Sequence, residues 1–73
     1  MTMKRYRLLI YWWNGTSYRD RTVGGEYHLE APDDVAAVKR AHADFDEQIR
    51  LADQSAVIDE VGRIVWENEP PER

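Results

Sequence analysis

The spacing of apolar residues changes twice along this 73-residue chain, from that of a strand to that of a helix and back. Apolar and polar residues alternate from Lys4 to Trp13 and again from Glu26 to Ala31. Apolar residues recur at helical spacing from Pro32 to about Ala52, and alternation returns near Ala56. Alternation places successive side chains on opposite faces, whereas a period of about 3.6 residues forms one helical stripe. The order therefore predicts strands, one helix and strands again.

These elements assemble most simply as an α+β domain of ββαββ order. In this prediction one helix packs on one face of an antiparallel sheet of about four strands. A single domain is expected at residues 1–68, followed by a flexible polar tail at residues 69–73. On the helix, the predicted apolar stripe contains Val35, Val38, Ala41, Phe45, Ile49 and Ala52.

Turn residues suggest where the two hairpins reverse. Asn14-Gly15 is typical of a two-residue turn, and Gly62 can supply the left-handed position of a second, bulged turn. In that second hairpin Asp59 is expected to face Arg63 as a cross-strand ion pair. A two-residue first turn would place Arg19 opposite Ile10, on the face that we predict to be core. Either this loop is longer or the hairpin projects into solvent, so a strand at residues 16–22 is left open. Gly24-Gly25 is expected to form a bulge or turn.

A helix on one face of the sheet leaves the other face uncovered. We predict that this face binds a partner, because it carries more apolar surface than a small monomer normally exposes. Tyr, Trp and Arg also carry much of the binding energy at protein interfaces. The alternative is that these aromatic side chains belong to the core. The predicted partner-binding residues are Arg5, Arg7, Leu9, Tyr11, Trp13, Arg19, Arg21, Val57 and Val65.

The charge of the chain is divided between a basic and an acidic part. Residues 1–25 carry five Lys or Arg and one acid, and the remaining 48 residues carry five Lys or Arg and thirteen acids. A basic, aromatic strand could neutralise phosphates and stack on the bases of single-stranded nucleic acid. The pI near 5.0 opposes this alternative. We therefore favour a small protein-protein interaction module of adaptor or inhibitor type.

Few patterns in the chain indicate an enzyme. Glu26, His28 and Glu30 alternate onto one strand face and could in principle bind a metal, but a solvated strand has the same pattern. His42 lies at the edge of the apolar helix stripe and is interpreted as a hydrogen-bonded boundary residue. The glycines lack the flanking pattern of a phosphate-binding loop. We expect no catalysis, no cofactor and no metal.

Size and cysteine content bear on stability and location. A chain this short buries a thin core, so we expect a homodimer or a bound partner to stabilise it. The absence of cysteine fits a reducing cytoplasm. The first apolar run ends at Asn14-Gly15 with no small-residue cleavage site after it, so we do not expect a signal peptide. A cytoplasmic protein is the expectation.

Three short motifs resemble those of small bacterial hairpin-helix-hairpin domains of unknown function. They are a strand that starts at Gly25-Glu26 and continues through Tyr27-His28, a helix start at Pro32-Asp33, and a late turn at Asp59-Glu60-Val61-Gly62-Arg63. The resemblance implies the fold and no activity. A looser similarity to small antitoxin domains, which also place strands before an alanine-rich helix, implies an antitoxin-like neutralising domain as a further alternative.

Overall fold

The computed structural model describes residues 2–13 and 21–68. The described residues form one antiparallel sheet with the strand order β2-β1-β3-β4. The predicted α+β class is confirmed, with the helical segment between the two strand pairs. The elements are β1 (Lys4–Trp13), β2 (Arg21–Ala31), α1 (Asp34–Asp44), α2 (Asp46–Leu51), β3 (Gln54–Ile58) and β4 (Ile64–Glu67).

The helical segment begins at a side-chain cap and is divided at Phe45. Asp33 has an extended backbone, and its carboxylate accepts a hydrogen bond from the Ala36 amide over 2.8 Å. Such a cap satisfies one of the amide groups that have no partner within the helix. At Phe45 the backbone turns to φ −128°, which ends α1, and α2 begins at the next residue. The single helix predicted from Pro32 to Ala52 is therefore two helices.

The buried side of α1 differs from the predicted stripe. Ala37 and Ala41 are completely buried, whereas Val35 is 66% exposed. Small side chains allow the helix to approach the sheet closely, and Asp34 rather than Val35 is directed to the sheet by a hydrogen bond to Tyr6. The predicted stripe is therefore wrong at Val35, because the spacing of apolar residues does not account for the hydrogen bond between Asp34 and Tyr6.

The core lies between the helices and one face of the sheet. Tyr6, Leu8 and Ile10 of β1 are buried there, which confirms the predicted core face of the first strand. Trp12 continues the same alternation but is 43% exposed at the end of the sheet. The other members of the core cluster are Leu29, Ala31, Ala37, Ala41, Ile49 and Val57.

The first strand pair has a long connection and one bulge. Trp13 pairs with Arg21, so residues 14–20 separate the strands, and of the two alternatives left open the longer loop is the one found. The conformation of those residues lies outside the described part of the chain. Ile10 pairs with Gly25 whereas Tyr11 pairs with Val23, which leaves Gly24 as the extra residue. The predicted bulge is thereby confirmed.

The two faces of β3 are the reverse of those predicted. Leu8 pairs with Val57 and Leu9 with Ala56, so Val57 faces the helices and is completely buried. Val65 is half-buried and packs against the same core. The prediction that Val57 and Val65 lie on the uncovered face is therefore wrong. Every residue of β3 is buried, so the sequence of this strand does not indicate which of its two faces belongs to the core.

Candidate functional site

The sheet face that points away from the helices is named the open face. It contains the odd-numbered residues of β1 and their cross-strand partners, since directly paired residues lie on the same side of a sheet. On β1 these are Arg5, Arg7, Leu9 and Tyr11. The partners are Glu30, His28, Glu26 and Val23 on β2, and Ile58, Ala56 and Gln54 on β3, with Ile64 paired to Ile58 on β4.

Exposed apolar side chains form a band that crosses the open face from β2 to β4. Leu9 and Tyr11 are half-buried, while Val23 is 52% exposed and Ile64 is 54% exposed. On the same face of β3, between β1 and β4, Ala56 and Ile58 are buried. The open face therefore combines two buried apolar residues on β3 with four apolar side chains that remain accessible.

Charged side chains on the open face pair with one another. Arg7 Nη1 donates a hydrogen bond to Glu26 Oε1 over 2.9 Å, and His28 Nε2 lies 4.0 Å from the same oxygen. The hydrogen bond from Arg7 outweighs partial desolvation and holds the pKa of Glu26 below its usual value. An arginine already paired with a carboxylate contributes little to the neutralisation of phosphates. This pairing weakens the nucleic-acid alternative.

The three residues considered as possible metal ligands do share a face. Glu26, His28 and Glu30 all pair with odd-numbered residues of β1. Within residues 2–13 and 21–68, however, no group of three or more His, Asp or Glu side chains is placed to hold a metal ion. The Glu26 carboxylate is bonded to Arg7 instead.

Shallow clefts surround the start of β1. Three of them share Arg5 and Tyr6 and have volumes of about 240, 300 and 360 Å³. In the smallest, Lys4, Arg5 and Arg63 lie among Asp34, Asp59 and Glu60. Arg63 bonds to both Asp34 and Asp59, so the charges of these three residues offset one another. The cleft is better described as a joint between structural elements than as a ligand site.

The β3–β4 turn is organised by Asp59. Its carboxylate accepts hydrogen bonds from the Val61 amide over 3.1 Å and from the Arg63 amide over 2.8 Å, and Arg63 Nε donates to it over 3.0 Å. Desolvation alone would raise the pKa of Asp59, but these hydrogen bonds and the charge of Arg63 lower it overall. The predicted ion pair between Asp59 and Arg63 is confirmed.

His42 occupies the boundary position that the sequence predicts. Its Nδ1 lies 2.8 Å from the Val38 carbonyl oxygen, and its ring meets Trp66 edge-on with 4.6 Å between centroids. Both interactions hold the ring at the edge of the core. The residue is therefore part of the packing between α1 and β4.

The structure brings together some of the predicted partner-binding residues. Arg5, Arg7, Leu9 and Tyr11 lie on the open face, while Val57 and Val65 lie on the helix side. Arg19 and the side chains of Trp13 and Arg21 fall outside the described part of the chain.

Two exposed apolar residues of the open face were missing from the prediction. Val23 reaches this face because the bulge at Gly24 shifts the alternation of β2 by one residue. Ile64 reaches it because the pairing of β4 shifts between Val57 and Ile58. The glycine pair was the only sequence signal for the first shift, and no comparable signal marks the second.

Comparison with known proteins gives no further guide to function. No protein-family model, curated protein or solved structure matches this chain. In the described residues, no helix combines the length and apolar character needed to cross a membrane.

Proposed function

We propose that this chain is a small, non-enzymatic protein-binding module whose open face covers an apolar surface of a protein partner. One observation carries the proposal: Leu9, Tyr11, Val23 and Ile64 stay accessible on a sheet face whose other side is packed on the helices. Apolar side chains gathered on one face mark interaction surfaces more often than isolated ones do.

The chemistry of the open face suggests the chemistry of the partner. Its apolar band matches the desolvated part of a protein interface, and Tyr11 is of a residue type enriched there. The Arg7–Glu26 pair and Glu30 lie beside that band and would form polar contacts along it. A partner with apolar side chains at its centre and mixed charges around them would fit. An adaptor or an inhibitor acts through such a surface without chemistry of its own.

Two matched substitutions test the proposal. Val23→Glu places a carboxylate on the open face, and Val35→Glu makes the same change on α1, on the other side of the molecule. Both valines are more than half exposed, so both variants should fold. The wild-type chain and both variants are used to capture partners from a bacterial lysate, with and without nuclease, and the captured proteins are identified by mass spectrometry.

We expect a protein that survives nuclease, is captured by the wild type and by Val35→Glu, and is lost with Val23→Glu. Equal capture by both variants would overturn the open face as the binding surface. Recovery of nucleic acid that disappears with nuclease, with no protein left behind, would replace the proposal with the nucleic-acid alternative.

A further inference from the structure

We propose that two copies of this chain pair through the outer edge of β2 and join their sheets into one. In the proposed dimer the β2 strands run antiparallel around a twofold axis perpendicular to the sheet. This arrangement keeps all helices on one side and places the two open faces next to each other on the other. The inference concerns a strand edge, and it does not depend on the proposed function.

The edge itself is the first observation. β2 is the outermost strand on its side and pairs only with β1 among the described strands, although it is 11 residues long. An edge strand leaves every second backbone N–H and C=O without a strand partner. Natural proteins often block such edges with lysine, proline, a β-bulge or a very short strand. β2 contains no lysine or proline, and its bulge at Gly24 leaves residues 25–31 regular, whereas the opposite edge strand, β4, has only four residues.

Charge selects the register of the pairing. When Tyr27 lies opposite Tyr27 of the second copy, Glu26 lies opposite His28 at two symmetric places, and an imidazole N–H can donate to a carboxylate. Centring the pairing on His28 would instead oppose Glu26 and Glu30, which repel. Both kinds of contact would form on the open-face side, where these three side chains are exposed.

Strand length decides between the remaining registers. Centring on Leu29 also opposes a carboxylate and His28, but β2 ends at Ala31, so the overlap is confined to residues 27–31. Centring on Tyr27 gives five regular pairs over residues 25–29 as well, and it lets the two strands continue beside each other as far as Val23 and Ala31, where the bulge at Gly24 lies. The Tyr27-centred register therefore combines the longer overlap with favourable charges.

The oligomeric state of the full chain is the first test. Sedimentation velocity over a concentration series is run at about 0.15 M salt, where repulsion between two acidic copies is screened beyond about 8 Å. The dimer is expected to weaken in His28→Glu by about tenfold or more in Kd, because two attractive cross-strand pairs become repulsive. His28→Gln keeps an N–H donor opposite Glu26 and should retain the dimer. Val35→Glu also introduces a carboxylate, but on α1 and away from the β2 edge. It should therefore leave Kd unchanged.

Cross-linking then tests the register, which is convenient because the chain has no cysteine. Chains carrying Glu26→Cys are mixed with chains carrying His28→Cys and oxidised. Directly opposite residues have Cβ atoms about 5 Å apart, so the mixture should form a disulfide that neither variant forms alone. A monomer at all concentrations, a dimer insensitive to His28→Glu, or a disulfide formed by His28→Cys alone would each overturn the proposal. Loss of the dimer with Val23→Glu but not with His28→Glu would show face-to-face association instead.

Discussion

The Tyr6 hydroxyl donates a hydrogen bond to Asp34 Oδ1 over 2.8 Å and so links the central strand β1 to the first turn of α1. The other oxygen of the same carboxylate accepts a hydrogen bond from Arg63 Nη2 over 2.9 Å. Arg63 also bonds to Asp59 in the β3–β4 turn. One carboxylate thus ties a strand, a helix and a hairpin together and helps to orient α1 over the sheet.

Replacing Tyr6 with phenylalanine removes the central hydrogen bond and keeps the buried ring. A hydrogen bond to a charged group contributes about 1.5 to 3 kcal/mol, so Tyr6→Phe should lower the free energy of unfolding by about that amount at pH 7. Urea denaturation measures the change. Tyr27→Phe is the control, since Tyr27 packs its ring on Phe45 at 4.9 Å between centroids. Equal stability of wild type and Tyr6→Phe would contradict the role assigned to this hydrogen bond.

The same tyrosine should make the fold sensitive to alkali. Burial, and then the hydrogen bond and the negative charge of Asp34, raise the pKa of Tyr6 to about 12. Since the ordinary value is about 10, this contribution to stability is complete below pH 10 and is lost as the pH rises toward 12. Two pKa units correspond to about 2 to 3 kcal/mol.

Denaturation curves collected from pH 9 to pH 12 test this dependence. The free energy of unfolding should fall more steeply for the wild type than for Tyr6→Phe, and the two should converge at high pH. Parallel curves for the two proteins would mean that Tyr6 does not control the alkaline transition.

The turn between β3 and β4 depends on one glycine. Gly62 has a φ of +89°, and a Cβ atom there would meet no neighbour within 4 Å. Gly62→Ala should therefore cost about 1 to 2 kcal/mol through backbone strain alone. Val61→Ala, at an exposed position of the same turn, is the control and should change stability by less than about 0.5 kcal/mol. Thermal unfolding of the wild type and the two variants would separate the cost of backbone strain at residue 62 from the cost of shortening a side chain in the same turn.

The sequence predicted the elements whose two sides differ in chemistry. β1 alternates between buried and more exposed residues, and the outward Glu26, His28 and Glu30 of β2 made its core face evident. Local turn chemistry was equally readable, since the Asp59–Arg63 pair and Gly62 occupy their predicted roles. These parts were predictable because apolar and polar residues are clearly separated there, or because the turn residues have a distinctive chemistry.

The predictions failed where both faces of a strand are apolar, or where one extra residue shifted the alternation of faces. Val57 was assigned to the wrong face because its neighbours Ala56 and Ile58 are equally apolar, and only pairing with β1 decides the register. Val23 was missed as an open-face residue because a single extra residue at Gly24 reverses the faces beyond it. The candidate site was therefore half predicted: its β1 residues were found, and those beyond the bulges were not.

Ser55 offers the last test, because it places a polar atom in the core. It lies opposite Ile10 on the helix side and is completely buried, and its Oγ has no hydrogen-bond partner within residues 2–13 and 21–68. A buried hydroxyl without a partner costs about 1 to 3 kcal/mol. Ser55→Ala should consequently leave stability unchanged or raise it by about 1 kcal/mol, as measured by urea denaturation at pH 7. Asn68→Ala is the contrasting variant, since Asn68 Oδ1 accepts a hydrogen bond from the Ser55 amide over 2.9 Å, and its removal should destabilise the hairpin. A clear loss of stability in Ser55→Ala would mean that the hydroxyl is bonded in solution.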